Sequence, residues 1–276
     1  MRRGIGRPAG VRLAVHLALH RTAWLASIAA TAIGAYVVSP AAQAAGQAAL
    51  RRSVVLNGAD AIGALFTSSG GKLGPHFCTA SVVDSPAGDL LITAAHCLRG
   101  KSLSPAGRVV FAPGYHDGQF PHGTWAVTAE YVDAAWSASQ DPDDDVAFLV
   151  VADHGAGLEQ QTGAETLEVG RPAQVVQVTG YPDQTNEPLT CVAPARDFEG
   201  GRQMVFDCDN YTNGTSGGPF LTHINPRTGM GWVIGIIGGY QQGGFTPDVS
   251  YSPRFFSPVL ALYQTAIAVV PAAAPG

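Results

Sequence analysis

Three short segments carry side chains that could share a proton and a nucleophile. Thr93-Ala94-Ala95-His96-Cys97 sets a histidine directly after the apolar run Leu90-Leu91-Ile92, at the end of a strand. Asp141-Pro142-Asp143-Asp144-Asp145 runs straight into Val146-Ala147-Phe148-Leu149-Val150, so Asp145 is carried to the edge of a core strand while the other acids are expected to face water. Asn213-Gly214-Thr215-Ser216-Gly217-Gly218-Pro219 holds a serine in a glycine-rich turn, where backbone N–H groups can converge on a small volume without Cβ obstruction. Each segment alone has an ordinary reading: a structural histidine, a solvated acidic loop, a plain turn. Together they supply what acyl transfer needs, namely a nucleophile (Ser216), a base that takes its proton (His96), and an anion that orients the base and stabilises its charged form (Asp145).

A scaffold must bring these distant segments together. Short apolar runs punctuated by Gly, Pro, Asp and Ser recur as Ala61–Phe66, Ala80–Val83, Leu90–Thr93, Arg108–Phe111, Val146–Val151, Ala173–Thr179 and Trp232–Ile237. Parallel pairing would need crossover helices of about a dozen residues, and no segment between the runs shows a sustained helical period. The pattern predicts an all-β, antiparallel barrel or sandwich. Ser257-Pro258 opens an amphipathic stretch through Ala268 that predicts one C-terminal helix. The Gly- and Glu-rich segment from Asp153 to Gly170 has weak strand character and reads as the linker between two halves.

Charged residues make up 13% of the 276 residues, and glycine and proline number 34 and 19, which suits a turn-rich β chain. Residues 1–44 hold five arginines (Arg2, Arg3, Arg7, Arg12, Arg21) and no acid, which leaves 11 basic against 21 acidic residues in the remainder. So acidic a body is a poor phosphate-neutralising surface, and nucleic acid is excluded as a partner. The basic start, the apolar run from Ala23 to Val38 and the small residues through Ala42-Gln43-Ala44 read as a cleavable export signal over 1–44, which makes the protein secreted. A membrane anchor is the competing reading of that span, disfavoured by Pro40 and the small residues, so no stable membrane partner is expected. In an exported chain Cys78, Cys97, Cys191 and Cys208 read as disulfides. Of the three pairings open to four cysteines, the sequential one (Cys78 with Cys97, Cys191 with Cys208) closes two loops of about 20 residues, each worth roughly 3 kcal/mol. Neither spacing suits a metal, His76, His116, His122, His154 and His223 share no ligand spacing, and no metal or cofactor is expected.

Thr93-Ala94-Ala95-His96-Cys97 and Gly214-Thr215-Ser216-Gly217-Gly218-Pro219, in the chain order His, Asp, Ser, resemble the signatures of the trypsin/chymotrypsin superfamily of serine peptidases. Phe77-Cys78-Thr79-Ala80-Ser81 is similar to that family's strand whose cysteine bridges to the one after the histidine. Val178-Thr179-Gly180-Tyr181-Pro182 and the short approach to the serine resemble a bacterial, secreted, glutamyl-endopeptidase-like branch. The resemblance spans about residues 57–265 and implies two six-stranded β-barrels with the active site in the cleft between them. The expected organisation is a signal over 1–44, a propeptide or N-terminal arm over 45–56, a first barrel over 57–165 with His96 and Asp145, a second over 166–268 with Ser216 and the helix, and a flexible tail over 269–276. It further implies a monomeric serine endopeptidase acting on peptide or protein substrates, with the N–H groups of Gly214 and Ser216 as its oxyanion hole. A protease-like secreted binding protein without turnover is the alternative.

Against the family pattern, Thr215 stands where trypsin-like zymogens place the aspartate that pairs with a newly exposed α-amine, so this chain is expected to shape its oxyanion hole without one. Asn210 occupies the expected base of the primary specificity pocket, where trypsins keep an aspartate. Ile237 replaces the histidine with which glutamyl endopeptidases read a substrate carboxylate, which argues against strict glutamate preference. Gly238 and Gly239 are expected to leave an open backbone edge for an extended peptide, with Tyr240 as one wall. The sequon matches at Asn210 and Asn213 lie in the same loop, where a glycan would block the cleft, and read as chance.

Overall fold

Short, largely apolar strands in the first half close into a six-stranded barrel. The computed structural model describes residues 51–56, 58–101, 108–152 and 155–268. The expected export signal, the start of the arm and the expected tail lie outside these residues. Two-residue strand β1 (Val54–Val55) is followed by β2 (Ile62–Ser69), β3 (Lys72–Val83), β4 (Leu90–Thr93), β5 (Arg108–Pro113), β6 (Trp125–Val132) and β7 (Ala147–Val151). Strands β2 to β7 pair as a closed barrel in the order β2-β3-β4-β7-β6-β5, every pair antiparallel. Leu65, Val82, Leu91, Ile92, Phe111, Phe148 and Leu149 are buried on its two faces as parts of one core cluster.

The second half contains β8 (Thr166–Leu167), β9 (Val175–Gly180), β10 (Leu189–Phe198), β11 (Gln203–Asp207), β12 (Pro219–Thr222), β13 (Trp232–Ile236) and β14 (Val249–Pro253). Its ladder runs β14-β11-β10-β9-β12-β13-β8, with β1 added alongside β10. The ladder is not closed strand to strand, yet its ends meet: the Gly238 N–H donates to the Tyr251 carbonyl at 3.0 Å and the Ile236 N–H to Ser252 Oγ at 3.0 Å. The six strands β9 to β14 thus wrap around Val178, Met204, Phe206, Phe220 and Ile234 as the counterpart of the first barrel.

Segment 155–170, expected as a plain linker, is structured and partly buried. Leu158 and Thr162 lie one turn apart on the short helix α1 formed by Leu158–Thr162, after a six-residue helical turn at Ala134–Ser139, and both are buried. Leucine and threonine four residues apart present one face, which the Gly- and Glu-rich composition around them concealed. Glu165 then enters the seam between the halves. Its N–H donates to the Val82 carbonyl, its own carbonyl accepts from the Asp84 N–H, and its carboxylate accepts from the Gly231 N–H at 2.5 Å.

The predicted C-terminal helix forms as α2, Ser257–Ala268, and returns to the first barrel. Val259 and Ala266 are buried under it, the Tyr263 ring packs edge-on to Phe148 at 5.7 Å, and the Tyr263 hydroxyl donates to the Asp84 carbonyl at 2.8 Å. Both disulfides follow the sequential pairing, Cys78–Cys97 tying β3 to the turn that carries His96 and Cys191–Cys208 tying β10 to the loop before Ser216. No helix among the described residues is long and apolar enough to cross a membrane.

Burial raises the Glu165 carboxyl to about 7, against which the single Gly231 hydrogen bond works only in part. The folded state therefore binds a proton that the unfolded chain releases near 4.5. The stabilisation from this protonated carboxyl is complete below that value and is lost as pH rises through 7. Glu165→Gln keeps an acceptor for Gly231 without the titration. Its melting temperature should match the parent near pH 4 and exceed it increasingly up to pH 8, by a gap worth roughly 3 kcal/mol; thermal melts of both proteins across that range measure it.

Candidate active site

The site is built from one carboxylate outward. Asp145 follows a 3-10 turn, Pro142–Asp144, whose start is capped by the Asp141 carboxylate accepting from the Asp143 N–H. The turn ends where β7 begins, and this drives the Asp145 side chain inward until none of it is exposed. A buried carboxylate must be met by donors. Asp145 Oδ1 accepts from the His96 N–H at 2.8 Å, and Oδ2 accepts from His96 Nδ1 at 2.7 Å and from the Gly239 N–H at 2.8 Å. The Nδ1 bond fixes the tautomer: with the proton on Nδ1, Nε2 is left as a free acceptor.

His96 sits on the turn Ala95–Leu98 at the end of β4, held from behind by the Cys78–Cys97 disulfide. Its imidazole and Ser216 line one cavity of about 350 Å³, together with Gly214. No hydrogen bond joins Nε2 to the Ser216 hydroxyl among the described residues.

The turn around Ser216 is fixed by its carbonyls. The Asn213 carbonyl accepts from the Asp183 N–H at 2.7 Å, the Gly214 carbonyl from Thr79 Oγ1 at 2.9 Å, and the Ser216 carbonyl from the Thr79 N–H at 2.7 Å. Thr79 Oγ1 also accepts from the Tyr181 N–H at 2.9 Å, so one hydroxyl on β3 couples the two halves. Thr215 is buried, and both its N–H and its hydroxyl donate to the Thr212 carbonyl. The N–H groups of Gly217 and Gly218 are taken by the carbonyls of Ile237 and Thr215. Those of Gly214 and Ser216 have no acceptor among the described residues. Glycine is required here twice over: at Gly214 φ is +93° and a Cβ would lie 2.5 Å from the Asp183 nitrogen, while at Gly217 it would collide with the Thr79 carbonyl and Thr93 Oγ1.

A second cavity of about 340 Å³ opens on the other side of Ser216, lined by Tyr211, Thr212, Thr215, Ile237, Gly243 and Pro247 among others, none of them charged. Burial holds the Tyr211 phenol well above its ordinary range, and its hydroxyl donates to the Val178 carbonyl at 2.7 Å, so the residue stays neutral. Asn210 is not in this cavity. With φ at +67° its side chain turns toward Ser53, reaching Ser53 Oγ at 3.4 Å, and it lines an adjoining hollow with Val55 and Leu189. The left-handed turn at Asn210 rotates the expected pocket base away and leaves Tyr211 and Thr212 in its place. The same arm, residues 51–56, braces this loop: the Ser53 N–H donates to Asp209 Oδ1 at 2.6 Å and the Asp209 N–H to the Arg51 carbonyl at 3.1 Å.

Gly238, Gly239 and Tyr240 follow β13 beside the site, but their N–H groups are already engaged, with the Tyr251 carbonyl, Asp145 Oδ2 and Gln203 Oε1 respectively. The expected open edge is therefore closed on its N–H side, and the Gly239 carbonyl is taken as well, by the Gln242 N–H at 2.8 Å. Gln203, fully buried, was missed in the sequence because nothing marks a single amide at the start of β11; its Nε2 donates to Asp143 Oδ1 at 2.7 Å while its Oε1 holds Tyr240. Asp143, expected to face water, is thereby paired with Gln203 and with Arg202 at 2.8 Å. Thr79 did carry a signal, a threonine following the cysteine in the strand next to the histidine.

A family model described as the trypsin-like peptidase domain matches residues 78–230, which takes in His96, Asp145 and Ser216. The chain belongs to this family. The trypsin-like peptidase domain is thus a hydrolase acting on peptides or proteins. No curated protein matches the chain. Among solved structures, this peptidase is similar to the thermostable serine protease AL20 from an extremophilic microorganism, at 28% identity and a TM-score of 0.64 over 77% of this chain and 99% of that one. The protease Anisep from Arthrobacter nicotinovorans matches at 23% identity and a TM-score of 0.66, over 78% and 99%. A Glu endopeptidase solved in complex with MPD shares the fold at 14% identity and a TM-score of 0.60, over 79% and 97%.

If Thr79 positions the Gly214 peptide, Thr79→Val should lower kcat by about 10- to 100-fold with little change in KM, since it strands two buried partners, each worth about 1–3 kcal/mol. Thr79→Ser, which keeps the hydroxyl, should restore most of kcat. Steady-state kinetics on one peptide substrate for the three proteins, with melting temperatures recorded alongside, separates this from a general loss of fold.

Proposed function

We propose that this trypsin-like peptidase is a secreted serine endopeptidase with Ser216 as nucleophile, His96 as general base and acid, and Asp145 as the group that orients the imidazole. The observation that carries this reading is the buried Asp145 carboxylate bonded to His96 Nδ1 at 2.7 Å, which presents Nε2 to the cavity that Ser216 lines. As a peptide carbonyl seats against Ser216, His96 Nε2 takes the hydroxyl proton and Oγ adds to the carbonyl carbon. The oxyanion formed is met by the Gly214 and Ser216 N–H groups, each such donor contributing about 3 kcal/mol in the transition state. His96 then passes its proton to the leaving amine, the C–N bond breaks, and a Ser216 ester remains. Water deprotonated by His96 then adds to that ester, the C–Oγ bond breaks, and His96 returns the proton to Ser216 Oγ as the acid is released.

The oxyanion turn is held by Asp183, Thr79 and Thr215 through neutral hydrogen bonds, which supports activity without a particular free α-amine. The uncharged cavity behind Ser216 supports a neutral side chain on the acyl side of the cleaved bond, neither arginine nor glutamate. Two disulfides support an oxidising, extracytoplasmic destination.

A phosphonate ester that mimics the tetrahedral state should add covalently to Ser216 in folded protein, detected as one adduct by intact mass and located by peptide mapping. Ser216→Ala should abolish labelling, and His96→Ala should slow it by at least about a thousandfold. A peptide blocked at both ends should be cut internally. Absence of both adduct and cleavage in folded protein would overturn the reading in favour of a binding module.

A further inference from the structure

Two adjoining cavities include Ser216 in their walls, and only one of them is lined by His96. If the peptidase reading above holds, the imidazole must deliver its proton to the leaving amine, so the residues that follow the cleaved bond lie on the His96 side. That cavity is walled by Phe77 and the Cys78–Cys97 disulfide, and its rim carries two cations, Arg99 and Lys101. The Lys101 ammonium rests 4.2 Å from the centroid of the Phe77 ring, which holds it over the cavity wall instead of letting it extend into water. No acidic side chain lines this cavity.

Arg171, Arg196, Arg202 and Arg254 each meet a carboxylate, from Glu168, Asp207, Asp143 with Glu199, and Asp197. Arg99 and Lys101 form no ion pair among the described residues, although the chain past residue 44 carries nearly twice as many acids as bases. Arg51, Arg52, Lys72, Arg108 and Arg227 are likewise outside the ion pairs of the described residues, and Arg99 and Lys101 differ from them in lining the cavity that His96 lines. On a body of net negative charge, two neighbouring cations beside the cavity favour an acidic segment there. The acyl-side cavity is uncharged, so charge selection falls to the leaving side.

We propose that Arg99 and Lys101 are specificity-determining residues that select peptides with aspartate or glutamate one to three residues after the cleaved bond. Both cations are exposed, so the effect is moderate and screened by salt.

Internally quenched peptides identical except for Glu, Gln or Lys at each of the first three positions after the cleaved bond supply the measurement. At low ionic strength the Glu peptide should exceed the Gln peptide in kcat/KM by about three- to tenfold at one of these positions, with Lys lowest, and added sodium chloride should compress the ratio. Arg99→Glu combined with Lys101→Glu should invert the order, placing Lys above Glu. The nitrophenyl ester of a blocked neutral amino acid, whose leaving group carries no residue into the cavity, serves as the control. Turnover of the ester together with equal rates for the Glu, Gln and Lys peptides at all three positions would overturn this proposal and leave the peptidase reading intact. No turnover of ester or peptide would overturn both.

Discussion

Burying a carboxylate with no water contact is costly unless donors meet it, and the cleft is organised around that requirement at Asp145. Its three donors come from different parts of the chain: the backbone of His96 at the end of a first-barrel strand, the His96 ring, and Gly239 from the second half. One anion therefore sets the position of the histidine turn, the tautomer of the ring and the approach of the second barrel. The acidic stretch before it completes the arrangement, since Asp143 grips Gln203 and Gln203 in turn holds Tyr240. Charge on the first barrel is thus converted into geometry on the second.

The other half of the site is organised by a neutral group. Thr79 lies deep in β3 and touches the Ser216 turn at two successive points, through its N–H to the Ser216 carbonyl and through its hydroxyl to the Gly214 carbonyl. With the Asp183 N–H on the Asn213 carbonyl, three carbonyls of the turn are engaged, while the N–H groups of Gly214 and Ser216 have no acceptor among the described residues. A threonine at 215 suits this design because it caps its own loop through Thr212, where an acid would require a cationic partner in a buried place.

Much of this was legible in the sequence, for identifiable reasons. The strands β2, β4, β5, β7, β9 and β13 are short continuous apolar runs, and these announce themselves. Strands β6 and β10 did not, because they alternate: β10 exposes Val192, Pro194 and Arg196 while burying Cys191, Ala193 and Ala195, and its proline argued against a strand. Helix α1 was hidden because it is five residues long, too short for a period to emerge. In the site, the residue types at 96, 145 and 216 could be read from motif and spacing. The displacement of Asn210 could not, because it turns on a left-handed backbone conformation at one residue, and neither could the occupied N–H groups of Gly238 to Tyr240, whose acceptors come from remote strands.

The last helix alters what the cleft can do mechanically. A chain that crosses from one barrel to the other at Glu165 and then sends α2 back to dock Tyr263 on Asp84 and Phe148 has tied its halves at two places. Spreading the halves would mean undocking that helix and breaking the Glu165 seam together. The walls of the cleft are consequently braced against each other at two remote points, and neither barrel is left to swing as a hinged jaw.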